Sequence, residues 1–182
     1  DVVLVSAHWN GLFAHDLRDG KLLWKKQDSK IRFRDGSPTI YDGMIYLASS
    51  DELFLINPRS GDVLKSVSQP GVSFNSACAP VVTDKMVYVA TADKGVIAYD
   101  RLTFKQIWNY GTRPAIFYSV PYFQDFQCSV ETSPVLVGGT LVFGASDGYL
   151  YGVNAETGRF QWKRNLGAPI LSPPAVSGNA LY

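Results

Sequence analysis

The sequence predicts an all-β propeller, and three observations predict it. An Asp or Asn that closes an apolar run recurs at Asp16, Asn57, Asp100 and Asn154, with spacings of 41, 43 and 54 residues. Each recurrence carries short strands of alternating β-branched and aromatic residues, cut by Asp-Gly or Thr-Gly turns. No segment holds a sustained helical period. A repeat of this length with four strands implies a blade, because a four-stranded sheet stacked between neighbours buries both of its faces.

The register extends well beyond the anchor. Four positions after it stand Gly20, Gly61, Phe104 and Gly158, and eight positions after it Trp24, Lys65, Trp108 and Trp162. Thirteen positions before it, Val3, Met44, Val87 and Leu141 each open an apolar run. Pro38, Pro80 and Pro134 precede those runs, and Pro174 precedes a fifth start at Leu181. The Gly admits a positive φ in the turn, while the Asp or Asn side chain bonds the turn backbone. The Trp is placed to wedge between blades, where such a ring buries roughly 150–250 Å².

In the fourth copy the strands read SPVLV, TLVFGAS, YLYGVN and RFQWKRN. The expected organisation is one domain over 1–182, about four four-stranded blades, with repeats near 1–37, 38–79, 80–132 and 133–172 and the start of a fifth at 173–182. The first blade lacks its innermost strand. Residues 170–176 repeat that strand and either complete the first blade or open a fifth, since 180–182 share the register of 2–4.

Composition narrows the function. Hydrophobic residues at 46% and charged residues at 18% describe a folded globular chain. The 17 basic and 16 acidic residues nearly cancel, which argues against a general nucleic-acid binder. The basic window at 30–36 is interrupted by Asp35. No run of 18 apolar residues occurs, so no transmembrane helix is expected. The start, DVVLVSAHWNG, has neither the charged opening nor the apolar run of a signal peptide, and reads as a mature or cut product. His15 takes a slot filled elsewhere by Ile56, Tyr99 and Val153, and His8 one near a turn. Neither has a visible second ligand, so metal or triad roles are not expected.

Binding in a propeller belongs to the loops that connect blades, here 30–37, 70–79, 110–133 and 167–172. The third is longest and concentrates Phe117, Tyr118, Tyr122, Phe123 and Phe126. Long loops in compact domains are usually functional, and aromatic rings offer contact area at low entropic cost. The loop therefore either binds a partner or plugs the channel. Arg32, Arg34, Asn75 and Arg113 are expected on the same face, where arginines suit a carboxylate or phosphate. Glu131, just before Pro134, is a candidate oxygen ligand. Cys78 and Cys128 precede neighbouring first strands and either meet or stay free thiols.

The fourth copy, SPVLVGGTLVFGASDGYLYGVNAETGRFQW at 133–162, resembles the PQQ-like (quinoprotein-type, BamB-like) repeat family, whose blades follow SPVV, DGxVYVGS, DGxLYALD and xxTGxxxW. Departures fall at Lys65 in the Trp slot, Phe104 in the Gly slot and Trp9 where Asp93 and Asp147 stand, so the first three blades are expected to be less regular. The resemblance implies a larger ring, often of eight blades, to which this chain contributes a fragment, with self-association as one way to complete it. It also implies an extracytoplasmic or cell-envelope location. Catalytic members carry adjacent cysteines, a calcium site and an Asp base; no Cys-Cys pair occurs here. The reading is a non-catalytic scaffold that presents inter-blade loops to a protein partner, with no cofactor expected. The alternatives are a PQQ-dependent dehydrogenase fragment, using PQQ with calcium, and a ligand-sensing or accessory domain of a larger enzyme.

Overall fold

The computed structural model describes residues 2–7, 11–27, 37–115, 129–178 and 180–182. Those residues form strands and turns and contain no helix, so none is long and apolar enough to cross a membrane. The first sheet holds β1 (Val2–Ala7), β2 (Gly11–Asp16) and β3 (Leu22–Lys26). The second holds β4 (Thr39–Tyr41), β5 (Met44–Ala48), β6 (Glu52–Ile56) and β7 (Val63–Ser68). The third holds β8 (Val81–Val82), β9 (Met86–Ala90), β10 (Val96–Asp100) and β11 (Gln106–Tyr110). The fourth holds β12 (Val135–Val137), β13 (Thr140–Gly144), β14 (Tyr149–Asn154) and β15 (Phe160–Asn165).

Every sheet is an antiparallel meander in chain order. The first has three strands, in keeping with the strand missing upstream of Val3. After the fourth sheet, β16 (Val176–Ser177) and β17 (Ala180–Leu181) pair as a two-stranded hairpin, and β1 pairs with β2 alone among the described residues.

The anchor turns behave as their chemistry requires. The carbonyls of Asp16, Asn57, Asp100 and Asn154 accept the N–H four residues on, at 2.8–2.9 Å. Their side chains accept a second N–H inside the turn, as from Arg59 at 2.8 Å and Thr157 at 2.9 Å. The fourth residue is left-handed in each case, with φ of 72° at Gly20, 74° at Gly61, 58° at Phe104 and 69° at Gly158. Just beyond each turn the outer strand bulges, between Ala14/His15, Leu55/Ile56, Ala98/Tyr99 and Gly152/Val153 on the partner strand. A bulge puts two residues opposite one, and the unpaired residue turns out. Leu23, Leu64 and Ile107 are exposed apolar residues for that reason.

The core lies between sheets. Ile45, Leu47, Phe54 and Ile56 face the first sheet and pack on Leu4, Leu12 and Trp24. Tyr46, Ala48 and Leu53 face the third sheet and meet Val87, Val89, Ile97 and Tyr99. Tyr88, Ala90, Val96, Ala98 and Trp108 face the fourth and meet Leu141, Phe143, Tyr151 and Val153. Neighbouring residues on one strand thus serve different interfaces, as the two-residue period of a strand demands. The short strands β4 and β8 come together at the inner end, and Thr39 Oγ1 donates to the Pro80 carbonyl across it at 2.6 Å. Stacked sheets with two buried faces make this a propeller, as the repeat predicts.

Trp rings lock successive blades. Trp24 donates its indole N–H to the Pro58 carbonyl of the next turn at 2.8 Å, and Trp108 donates to Ala155 at 3.0 Å. A Cβ built on Gly61 would stand 2.7 Å from the Trp24 ring, and one on Gly158 2.6 Å from the Trp108 ring. The glycines are therefore needed for close approach as well as for φ.

The departures at Lys65 and Phe104 face each other. Phe104 fills the notch where a Trp would rest, and Lys65 extends over its ring, 5.7 Å from the centroid, to donate to the Leu102 carbonyl. Beneath the Trp slots lie Ala14, Ala98 and Gly152, but beneath Lys65 lies Leu55. The second and third blades are thus joined by one coordinated replacement, not by two local irregularities.

Candidate functional site

The connections into the third and fourth blades meet at one end of the sheets. Asn75 staples them: its N–H donates to the Ala90 carbonyl at 2.9 Å and its Nδ2 to the Val130 carbonyl at 2.9 Å. Its Oδ1 accepts from the Ala77 N–H at 3.2 Å. Residues 129–133 then run between two turns, with Val130 N–H donating to Thr91 and Ser129 accepting from Ser146 N–H.

Glu131 and Arg113 both reach the turn at 145–148. Glu131 Oε1 accepts from the hydroxyls of Ser146 at 2.9 Å and Ser129 at 3.4 Å. Asp147 is buried; its Oδ2 accepts from the Arg113 N–H at 3.0 Å and from the Tyr151 hydroxyl, and its Oδ1 accepts from the Tyr149 N–H at 3.0 Å. Burial first, then the bond to Asp147, holds the Tyr151 phenol well above its ordinary range. Asp93 has the same role in the preceding blade, accepting from Ser73 N–H at 3.1 Å. In both blades this carboxylate ties the incoming connection to the sheet.

The outward side of the cluster is aromatic and cationic. The Arg113 guanidinium donates to the Tyr149 hydroxyl at 3.1 Å and lies 5.4 Å from its ring centroid. Lys163 Nζ stands 4.8 Å from the same ring. Each such contact on this half-buried ring is worth about 1 kcal/mol, so the pair orders Tyr149 more than it stabilises the fold.

Of the residues expected from sequence to form a site, Asn75, Arg113 and Glu131 converge here. Arg32, Arg34, Phe117, Tyr118, Tyr122 and Phe123 lie outside the described residues, as do Phe126, Cys128 and His8. His15 sits in β2 with Nδ1 2.9 Å from the Gly20 carbonyl. Asp147, Ser146, Tyr149 and Lys163 were not anticipated. The shared Asp slot at Asp93 and Asp147 was the signal that could have found the first of them.

Cys78 is a free thiol, and burial, with a smaller contribution from the Glu131 charge, pushes it up to about 12, so no thiolate nucleophile forms. The described residues at this end do not fit a calcium-held quinone. Calcium takes six to eight oxygens, and among the described residues no three His, Cys, Asp or Glu side chains converge on a common point. Asn75 commits its amide to the backbone, and Glu131 accepts from two hydroxyls.

Radially stacked four-stranded meanders with a Trp–turn lock between them define a β-propeller of PQQ-like repeats. The chain belongs to the family described as outer membrane protein assembly factor BamB, whose model matches residues 10–182. The solved structure of BamB from Moraxella catarrhalis superposes with a TM-score of 0.77 at 18% identity, covering 100% of this chain and 54% of that one. The serine/threonine-protein kinase AfsK of Streptomyces griseus is 28% identical over 99% of this chain and 23% of its own length. The dehydrogenase subunit of alcohol dehydrogenase (quinone) from Gluconacetobacter polyoxogenes is 27% identical over 88% of this chain and 24% of its own. The chain thus spans about a quarter of the length of these two curated relatives.

Proposed function

We propose that the chain is a cofactor-free binding scaffold of the cell envelope, holding a protein partner on the loops of its third and fourth blades. The observation that supports this most is the use made of the polar groups at that end. Asn75, Glu131 and Asp147 are engaged in holding the connections in place, and what faces outward is Tyr149 between two cations. The family match supports the same reading. The aromatic residues of 110–133, Tyr118 and Tyr122 among them, extend the proposed surface, with Arg113 at its described edge.

A photo-crosslinking amino acid at position 118 should capture one envelope protein of defined mass. R113A and the Y118A/Y122A pair should each reduce that capture at least tenfold while leaving the melting temperature unchanged. Undiminished capture in both variants overturns the reading.

The similarity to a quinone alcohol dehydrogenase supports a second reading, a quinone-dependent dehydrogenase segment. Calorimetric titration with PQQ, with and without calcium, separates the two. The scaffold predicts no saturable heat; one-to-one binding that needs calcium replaces it with the dehydrogenase.

A further inference from the structure

The two cations around Tyr149 are not something the repeat requires. Five positions before the anchor, Tyr149 stands where the other blades carry Gly11, Glu52 and Gly95. One position after the Trp slot, Lys163 stands where the second and third blades carry Ser66 and Asn109. Asn109 turns its amide back on its own sheet, donating to the Lys94 carbonyl at 2.7 Å and the Val96 carbonyl at 3.1 Å. Lys163 instead sets its charge over Tyr149, and Arg113 brings a second charge from beyond the end of β11. Among the described residues, no other Tyr has two cations over its ring. The group lies inside the blade series, because Tyr149 packs on the core shared by the third and fourth blades. It sits on β14 and β15, the outer half of the fourth sheet, away from the inner strand β12.

The three side chains offer donors and lack acceptors. Arg113 donates one N–H to the Tyr149 oxygen at 3.1 Å, which leaves the phenol proton and the remaining guanidinium N–H groups to give. No described carboxylate forms an ion pair with Arg113 or Lys163. Asp147 is buried, and its oxygens already accept from the Arg113 and Tyr149 backbone N–H groups and the Tyr151 hydroxyl. Two positive charges beside a phenolic O–H are complementary to an anion, and such charge-assisted bonds are about twice as strong as neutral ones. The formal charge of the whole chain is only +1, so the attraction is local to this seam. Anionic membrane surfaces are held by clusters of about four or more basic residues, a larger set than this one.

We infer that this seam receives a carboxylate from an acidic segment of the partner protein. The carboxylate accepts from the Arg113 guanidinium and the Tyr149 hydroxyl, and Lys163 supplies the second charge. The inference rests on the scaffold reading for the ligand's being a protein, and adds the chemistry by which that protein is held.

The probe is acetyl-Glu-Glu-Glu-amide, titrated into the 182-residue chain while the NMR signals of the Tyr149 ring and Arg113 guanidinium are followed. Saturable shifts at both residues are expected, weakened by high salt. Y149F keeps the ring and loses the donor; K163Q keeps the stem and loses the charge. Each should weaken binding at least about fivefold, with the melting temperature unchanged. Equal binding of acetyl-Gln-Gln-Gln-amide, tighter binding of inorganic phosphate, or binding that both variants leave intact overturns the inference. No shift in the parent chain overturns it as well; if D125N then binds, the carboxylate received is the chain's own Asp125. The crosslinker at position 118 separates this inference from the scaffold reading. Capture that Y149F/K163Q leaves whole removes the carboxylate site and keeps the scaffold. Peptide binding with no protein captured keeps the site and removes the scaffold.

Discussion

Burial lifts the Cys78 thiol from an ordinary 9.0 to about 12, with a further push from Glu131. The folded chain therefore keeps a proton that the unfolded chain releases near pH 9. A raised folded-state value means that the stabilisation is complete below about pH 9 and is lost as pH climbs towards 12. The buried Tyr99 phenol, also pushed up to about 12, adds its share only above its ordinary 10.0. Between pH 9 and 10 the thiol is thus the main source of any slope. Urea midpoints measured across that window should fall for the parent chain and stay nearly level for C78A, which starts lower for want of the sulfur. Parallel slopes would show that Cys78 is not protected as described. This chemistry was not legible in the sequence, which took free thiols as the default and could not establish whether Cys78 and Cys128 meet. A cysteine's neighbours come from connections distant in the chain, here Val130 and Glu131.

At the scale of the element, the strands, turns and register were legible because their causes are local. An Asp or Asn, a Gly four residues on and an alternating apolar run each act within one hairpin, and the hydrogen bonds of the four turns repeat accordingly. Lys65 and Phe104 were legible only as departures. Their relation crosses two blades, so no spacing within one repeat contains it. Phe104 offsets the strain of a left-handed φ of 58° with a ring buried against Tyr46 and the second blade. F104G should relieve about 1 kcal/mol of strain yet lose about 3–5 kcal/mol of packing, a net loss of about 2–4. K65W alone should cost about 1–3 kcal/mol by driving an indole into the Phe104 ring and Leu55. Combined with F104G and L55A, the same Trp gains the notch and the small residue beneath it that Trp24 and Trp108 have. The triple variant should recover at least about half of the summed losses, a coupling well above the few tenths expected of independent sites. Strict additivity in chemical denaturation would mean that the three positions are not one device.

In the whole molecule, stability should be graded along the series of blades, because each sheet is held by its neighbours and by little else. Among the described residues an interior sheet has two packed faces, and the first has one. The interface of the third and fourth blades buries Tyr88, Trp108, Phe143 and Tyr151, with Tyr110 packed against them. The interface of the first and second relies on Leu12 and a half-buried Trp24 from the first blade's side. The convergence of Asn75, Arg113 and Glu131 belongs to this scale too. Their shared end followed from blade topology and was legible, while the turn that gathers them, with its buried Asp147, depends on how two blades stack and was not. Repeat arrays open from the end with the weaker neighbour energy. Amide exchange followed by mass spectrometry should therefore find β1–β3 fastest and β9, β10, β13 and β14 slowest. Uniform protection in every sheet would instead mean that the blades open as one unit.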